Sequence, residues 1–248
     1  MKIDIIISVD DIKKEKIKGK TVVIIDMLRA TSVIVTALAN GCNDVIPVID
    51  IEEAKRLASI NREIYILGGE RNSVKIEGFD FSNSPLEYVR NIVKGKTLII
   101  TTTNGTKAIH GALGAKSILI GALINAKAVA QKAIELDNDL VIINAGTHGE
   151  FSMDDFICSG YIIDCILNNS DTKLSDIATT AHYVYTQNTD MINFLSKANH
   201  YNFLVNLGLE KDIEYCCKKD IIPIVPQCDS NSFSIRIQKK WYSNEYHF

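Results

Sequence analysis

Four apolar runs of this sequence are each followed by polar side chains of the kinds that bind and transform small anions. Two of these clusters follow residues 21–25 and 64–67; they are Asp26, Arg29, Thr31 and Ser32, and then Gly68, Gly69, Glu70 and Arg71. The other two follow residues 97–100 and 140–143; they are Thr103, Asn104, Gly105, Thr106 and Lys107, and then Gly146, Thr147, His148, Asp154 and Asp155. Ligands of open α/β sheets bind at the carboxyl ends of the strands. We therefore expect these residues to share one site.

Each cluster also has an explanation that involves no ligand. Asp26 is a good cap for the helix that follows it, and acids at 154 and 155 suit the positive end of a helix dipole. The pair at 70 and 71 could lie in an exposed turn. The segment 101–107 could be a hydroxyl-rich turn that caps a helix, and it lacks the P-loop pattern. His200 shows no partner in the sequence, so we expect a structural role for it.

The convergence of the four clusters favours chemistry over capping. Capping explains one or two clusters, but it hardly explains polar groups at four strand ends of one sheet. Three carboxylates with two guanidinium groups would suit a Mg²⁺-assisted reaction on a small molecule that carries several negative charges. The predicted metal ligands are Asp26, Glu70 and Asp155, and the predicted cationic groups are Arg29 and Arg71.

The elements that position these residues alternate between short apolar strands and longer helical segments. Strands are predicted at 3–9, 21–26, 45–49, 64–67, 97–101, 117–120 and 140–144, and helices at 31–39 and 51–60, with a helix start at 84–87. Strands of this kind are buried on both faces and joined by crossover helices. Beyond residue 151, helices are predicted at 154–167, 177–197 and 209–218, before short strands at 222–225 and 233–237.

This pattern predicts a layered α/β/α fold with a mixed, mostly parallel sheet and a helix-rich C-terminal half. The site loops would belong largely to residues 1–150. Residues 151–248 would pack on that unit, either as a second half or as part of one continuous domain.

Composition limits the classes of partner. The chain has 248 residues, 46% of them hydrophobic, and a formal net charge of −3. A polyanion-binding surface needs clustered Lys and Arg in excess, so nucleic acid is not an expected partner. The apolar N-terminal stretch is too short to be a signal peptide or to span a bilayer, which predicts a cytoplasmic protein with no membrane partner. The six cysteines show no C-x-x-C pair, so we expect reduced thiols. A homo-oligomer is left open.

Five segments, in this order and spacing, resemble the 2-phosphosulfolactate phosphatase family. They are Ile25-Asp26-Met27-Leu28-Arg29-Ala30-Thr31-Ser32, Gly69-Glu70-Arg71, Gly78-Phe79-Asp80-Phe81-Ser82-Asn83-Ser84-Pro85, Thr102-Thr103-Asn104-Gly105-Thr106 and Asn144-Ala145-Gly146-Thr147. The resemblance covers nearly the whole chain. Four positions depart from the usual family residue, namely Ser82 for Gly, Lys107 for Arg, and Met153 and Asp154 for Leu and Glu. None of these departures removes a predicted metal ligand or arginine.

The resemblance implies a Mg²⁺-dependent phosphatase that converts (2R)-phospho-3-sulfolactate to 3-sulfolactate and phosphate, a step of coenzyme M biosynthesis. Asp26, Arg29, Arg71, Asn104 and Lys107 are then the predicted catalytic residues. The predicted substrate contacts are Thr31, Ser32, Asn83, Thr103, Gly105, Thr106, Gly146 and Thr147. Attack by water is favoured over attack by Asp26, because Leu28 replaces the second Asp of a D-x-D phosphatase motif. The rivals are a phosphatase or phosphotransferase for another phosphorylated hydroxy acid and a non-catalytic anion-binding protein.

Overall fold

The strands of the protein form one mixed sheet. The structure is a computed structural model, and it describes residues 1–188, 190–229 and 233–237. The strands are β1 (Lys2–Ile6), β2 (Thr21–Ile25), β3 (Asp44–Pro47), β4 (Tyr65–Arg71), β5 (Val74–Lys75), β6 (Thr97–Thr101), β7 (Ser117–Gly121), β8 (Leu140–Asn144), β9 (Lys173–Leu174), β10 (Pro226–Asp229) and β11 (Ser234–Ile237). Most of their pairings are parallel, which confirms the predicted fold class.

Helices connect the strands and fill the second half of the chain. They are α1 (Lys14–Ile17), α2 (Ala30–Ala39), α3 (Ile51–Ser59), α4 (Arg90–Val93), α5 (Gly105–Gly111), α6 (Ala126–Leu136), α7 (Met153–Leu167), α8 (Asp176–Gln187), α9 (Met191–Leu195), α10 (Asn199–Asn206) and α11 (Glu210–Cys216). Short 3-10 helices lie at Val9–Asp11, Pro85–Glu87 and Leu123–Asn125. Local capping fixes several starts; the Asp50 side chain, for example, accepts a hydrogen bond from the Glu53 N–H group at 2.9 Å.

The central strands are buried on both faces, as their unbroken Val and Ile content predicts. Val22 and Ile24 of β2 point to the layer of α2 and α5, whereas Val23 and Ile25 point to the layer of α6, α7 and α8. This alternation follows from the two-residue period of a strand. Helices therefore pack on both faces of the sheet through these two apolar layers, and this packing keeps the strand ends in fixed positions.

Two parallel blocks of strands are joined by an antiparallel hairpin. In the described residues the strand order is β5-β4-β6-β3-β11-β10-β7-β2-β8-β1-β9. The pairings β3–β11, β11–β10 and β10–β7 are antiparallel, so the two blocks run in opposite directions. In a flat sheet their carboxyl ends would lie at opposite edges. Residues that follow strands of both blocks nevertheless line one cavity.

Several predicted elements are corrected in the C-terminal half and near residue 85. The helix predicted from Ser84 is only a 3-10 turn, because the Glu87 carboxylate accepts hydrogen bonds from Ser82 instead. The single helix predicted at 177–197 is divided into α8 and α9. Helix α10 was not predicted, and the strand expected at 222–225 lies at 226–229. The division into residues 1–150 and 151–248 stays a prediction, and part of the second range lies outside the described residues.

Candidate active site

A cavity of about 220 Å³ lies where the loops that follow β2, β4, β6 and β8 meet. The predicted site residues that line it are Asp26, Arg29, Glu70, Asn83, Thr103, Asn104, Gly146, Thr147 and Asp155. Both parallel blocks contribute, since β2 and β8 belong to one block and β4 and β6 to the other. The cavity is therefore built at the junction of the two halves of the sheet.

Three aspartates, Asp26, Asp154 and Asp155, place their charges close together in this cavity. Burial is the main reason that the pKa of Asp26 is raised to about 6, and the charges of Glu70 and Asp154 raise it further. Burial, followed by the charges of Asp154 and Asp26, holds the pKa of Asp155 well above its usual range. These carboxylates repel one another, so the cavity favours a proton or another cation among them.

His200 partly relieves this repulsion. Its Nδ1 atom lies 3.4 Å from Asp154 Oδ2, and both side chains are largely buried. Burial alone would raise the pKa of Asp154, but His200 and a hydrogen bond from Ser152 bring that pKa below its usual value. Burial alone would lower the pKa of His200, but Asp154 raises it overall. The two side chains thus form an ion pair at the cavity wall.

Two carboxylates also tie the loops of the site together. The Asp155 carboxylate accepts hydrogen bonds from the Met27 N–H group at 2.9 Å and from the Gly146 N–H group at 3.0 Å. The Glu70 carboxylate accepts from the N–H groups of Ser73 and Thr103, each at 2.7 Å. Acids that accept backbone hydrogen bonds fix the loops around them. Asp155 therefore connects the β2 and β8 loops, and Glu70 connects the β4 and β6 loops.

The predicted set of three metal ligands is not assembled as a direct cluster. Within the described part of the chain, no group of three or more His, Cys, Asp or Glu side chains is spaced to hold a metal ion. Glu70 has the least capacity left for a metal, because its two oxygens accept three hydrogen bonds from Ser73 and Thr103, whereas the two oxygens of Asp155 accept one each. The charges of Asp26, Asp154 and Asp155 nevertheless act on one another.

Arg29 lines the cavity from a buried ion pair. Its Nη1 atom lies 2.5 Å from Asp212 Oδ2, and its Nη2 atom donates to the Ser73 carbonyl at 3.0 Å. The side chain of Arg29 is only 1% exposed. A guanidinium has five N–H donors, so these two bonds leave others for a ligand.

Arg71 is not brought into the cavity, although the sequence predicted a catalytic role for it. Its guanidinium donates to the carbonyl of Glu70 at 2.7 Å, to the carbonyl of Ile49 at 2.9 Å and to Thr101 Oγ1 at 2.9 Å. Strand β4 continues through Arg71, and neighbouring side chains of a strand point to opposite faces. Glu70 therefore faces the cavity while Arg71 faces away from it.

Five more predicted residues lie outside the cavity lining. Lys107 is exposed on α5. Thr31 and Ser32 are buried and donate to the carbonyls of Asp26 and Met27, so they shape the loop after β2. Thr106 is bonded within its own turn, through Thr102. Gly105 lies against Asp26, and a Cβ atom added there would stand 2.6 Å from Asp26 Oδ2.

Among the predicted substrate contacts, Asn83 has a buried side-chain oxygen that lacks a hydrogen-bond partner. It lines the cavity at only 4% exposure, and its Oδ1 atom is buried without a hydrogen-bond partner. A buried polar atom of this kind usually has a partner. Asn83 is therefore a candidate ligand contact.

The lining also contains residues that the sequence did not point to, and they come from three regions. Asn72 and Ser73 form the turn of the β4–β5 hairpin and both have positive φ angles. Helix α10, which was not predicted, supplies Asn199, His200 and Phe203, and Leu28 comes from the loop after β2. His148 and Asp154, which belong to the polar cluster after β8 named from the sequence, line the cavity as well. The expected structural role of His200 does not account for its place in the lining beside Asp154. The short segment at 199–206 gave no clear helical signal that could have located it.

A cavity at strand ends, lined by acids, amides and a guanidinium, defines an α/β enzyme that acts on a small polar ligand. The family model for 2-phosphosulpholactate phosphatase matches residues 6–231. The chain belongs to the 2-phosphosulfolactate phosphatase family, which places it among the phosphoric monoester hydrolases.

Similar proteins from clostridia carry the same description. The chain is 69% identical to a probable 2-phosphosulfolactate phosphatase of Clostridium novyi (strain NT) and 66% identical to one of Clostridium tetani. Each match covers 92% of this chain and 97% of the relative. A third relative with this description, from Clostridium botulinum (strain Eklund 17B / Type B), is 53% identical over 93% of this chain and 98% of its own length.

None of the helices in the described residues is both long enough and apolar enough to cross a bilayer.

Proposed function

We propose that this protein hydrolyses (2R)-phospho-3-sulfolactate to 3-sulfolactate and phosphate with the help of Mg²⁺. Family membership and the descriptions of its clostridial relatives support the reaction. The observation that carries the proposal is the cavity itself, in which carboxylates, amide groups and one guanidinium surround a space for a small ligand.

The negative charge of the cavity supports the proposed binding of Mg²⁺. The proposed substrate carries a phosphate, a sulfonate and a carboxylate, and the cavity holds Asp26, Asp154, Asp155 and Glu70. Arg29 is already paired with Asp212, and His200 with Asp154. Without a further cation these negative charges would oppose binding.

The donor set fits Mg²⁺ when only one or two carboxylates bind it. Magnesium prefers oxygen ligands and keeps several waters, so a compact set of three protein ligands is not required. Asp26 and Asp155 are the side chains that would hold it, directly or through water, with Glu70 ordering the adjacent loop. The ion would neutralise charge on the phosphoryl group during its transfer.

Other side chains of the cavity bind the substrate, orient the attacking water and transfer a proton. Arg29 binds the oxygens of the anion, the Asn83 Oδ1 atom accepts a hydrogen bond from a bound water, and Thr103 and Asn104 complete the wall around the substrate. Asp26 orients the attacking water, and a hydrogen bond from the Ala30 N–H group to its Oδ1 atom at 3.1 Å fixes that carboxylate. His200, held by Asp154, delivers a proton to the departing oxygen of sulfolactate.

Phosphate release tests this function directly. The purified protein is assayed with (2R)-phospho-3-sulfolactate after treatment with EDTA, and then again after Mg²⁺ is added back. We expect no turnover with the chelator and full turnover with Mg²⁺, and we expect Asp26→Asn to remove most activity while leaving the melting temperature near that of the wild type. Full turnover in EDTA would refute the metal dependence.

A panel of phosphorylated three-carbon acids distinguishes the rival functions. Phospholactate lacks the sulfonate, so a clear preference for phosphosulfolactate supports the proposed substrate. Equal or better turnover of another phosphorylated hydroxy acid would instead favour a different physiological substrate. If these compounds bind without phosphate release, the protein is an anion-binding protein and not an enzyme. A role in the biosynthesis of coenzyme M would require that the host uses the sulfolactate.

A further inference from the structure

Asp212 stands outside the cavity lining, yet its carboxylate connects two groups that border the cavity. Its Oδ2 atom lies 2.5 Å from Arg29 Nη1, and its Oδ1 atom accepts a hydrogen bond from Ser84 Oγ at 2.6 Å. Ser84 directly follows Asn83, the cavity residue whose Oδ1 atom lacks a partner. One buried side chain of α11 thus holds both the guanidinium of Arg29 and the side chain of the serine that follows Asn83.

This arrangement limits the freedom of Arg29 strongly. Asp212 holds one end of the guanidinium, and the Ser73 carbonyl holds the other through Nη2 at 3.0 Å. The side chains of Arg29 and Asp212 are 1% and 5% exposed, so water does not compete effectively for these bonds. The plane of the guanidinium is therefore set by Asp212 and the β4–β5 hairpin before any ligand binds.

We propose that Asp212 is a positioning residue for the phosphatase reaction: it orients Arg29, so that the guanidinium presents its hydrogen-bond donors to the anionic substrate, and through Ser84 it holds the neighbouring Asn83 in the cavity wall. The proposal rests on the proposed function. Among the described residues that line the cavity, Arg29 is the only arginine or lysine. Its orientation consequently decides where an anionic oxygen can make a charge-assisted, two-pronged contact.

A double-mutant cycle tests whether Asp212 acts through Arg29. The proteins compared are the wild type, Asp212→Asn, Arg29→Gln and the double variant, all assayed for phosphate release well below their melting temperatures. We expect Asp212→Asn to lower kcat/KM by about tenfold or more, since small misplacements of a binding group have effects of this size. It should alter the same kinetic parameter as Arg29→Gln, whether kcat or KM. In the Arg29→Gln background it should change kcat/KM by less than about threefold.

Asp220→Asn is the matched control for the loss of a structural carboxylate. Asp220 accepts a hydrogen bond from Tyr161 and another from the Lys127 N–H group at 2.7 Å, and it does not line the cavity. This variant should lower the melting temperature and leave kcat/KM unchanged. If Asp212→Asn behaves in the same way, or if its effect multiplies with that of Arg29→Gln, the positioning role is refuted.

Two further measurements keep the test decisive. If Asp212→Asn does not fold, Asp212→Glu retains the charge pair but displaces the guanidinium, and unchanged kinetics in that variant would overturn the proposal. If the wild type releases no phosphate at all, the proposed function fails separately. The positioning role is then judged by the rise in melting temperature that inorganic phosphate produces. The rise should be smaller in Asp212→Asn than in the wild type. In the double variant it should be the same as in Arg29→Gln alone. A rise in Asp212→Asn equal to that of the wild type would refute the positioning role.

Discussion

Replacing Gly105 with alanine is expected to damage activity while leaving the protein folded. Gly105 is the first residue of α5, and the Cβ atom of an alanine there would lie 2.6 Å from Asp26 Oδ2 and 2.7 Å from Ala30 Cβ. An ordinary contact begins near 3.4 Å, so the carboxylate and the methyl group must separate by about 0.8 Å. The substitution therefore moves Asp26 without altering its chemistry.

The expected size of the effect follows from that displacement. A shift approaching 1 Å at a reacting group costs about tenfold to a hundredfold in rate, which is about 1.4–2.7 kcal/mol of transition-state stabilisation. Overpacking costs about 1–3 kcal/mol of folding stability, and replacing glycine in a helix returns up to about 1 kcal/mol. We therefore expect a loss of kcat/KM that is much larger than any change in the fraction of folded protein.

Gly111→Ala provides the control in the same helix. Its Cβ atom would meet Ile12 Cδ1 at 2.7 Å, the end of a flexible side chain outside the cavity lining. Phosphate-release kinetics and thermal melting are measured for both variants. Gly105→Ala should lose activity and Gly111→Ala should not. Wild-type kcat/KM in Gly105→Ala would show that the position of Asp26 does not matter for turnover.

Three other outcomes follow from the contacts of the site. Arg29→Lys should lower kcat/KM by at least about tenfold, because lysine lacks the planar fork of the guanidinium. Arg71→Lys should lower only the melting temperature. Steady-state kinetics that show the reverse would contradict this geometry. His200→Gln should lower kcat by about a hundredfold in the phosphate-release assay; an unchanged kcat would remove it from the mechanism. Burial raises the pKa of Asp26 from 3.8 to about 6. In EDTA, the stability of the wild type relative to Asp26→Asn should therefore be highest below about pH 4 and fall as the pH rises through about 6. Thermal melts that show no such trend would contradict this expectation.

The sequence determined the strands and most of the loops that follow them. Strands β6 and β8 lie at the predicted residues, and β2 differs by one residue at its end. Short runs of Val and Ile that are bounded by turn residues favour strands buried on both faces of a sheet, so their positions could be predicted locally. The polar residues directly after these strands were then constrained to lie near the carboxyl ends.

Local pattern did not determine which of these polar side chains face the cavity. Arg71 and Glu70 are neighbours, but β4 continues two residues beyond Gly69, so the pleat sends them to opposite sides. Lys107 lies in the expected segment but on an exposed turn of α5. Such outcomes depend on where a strand ends and which way a helix faces, and a shift of one residue reverses them.

Only the tertiary structure decided the partners that come from far along the chain. Arg29 and Asp212 are separated by 183 positions, and His200 reaches Asp154 from a helix that the sequence did not indicate. The arrangement of the two oppositely directed strand blocks likewise depends on the hairpin β10–β11, which pairs with a strand of each block. Contacts of this kind leave no periodic signal in the sequence, because they are set by the packing of whole elements and not by the spacing of residues within one.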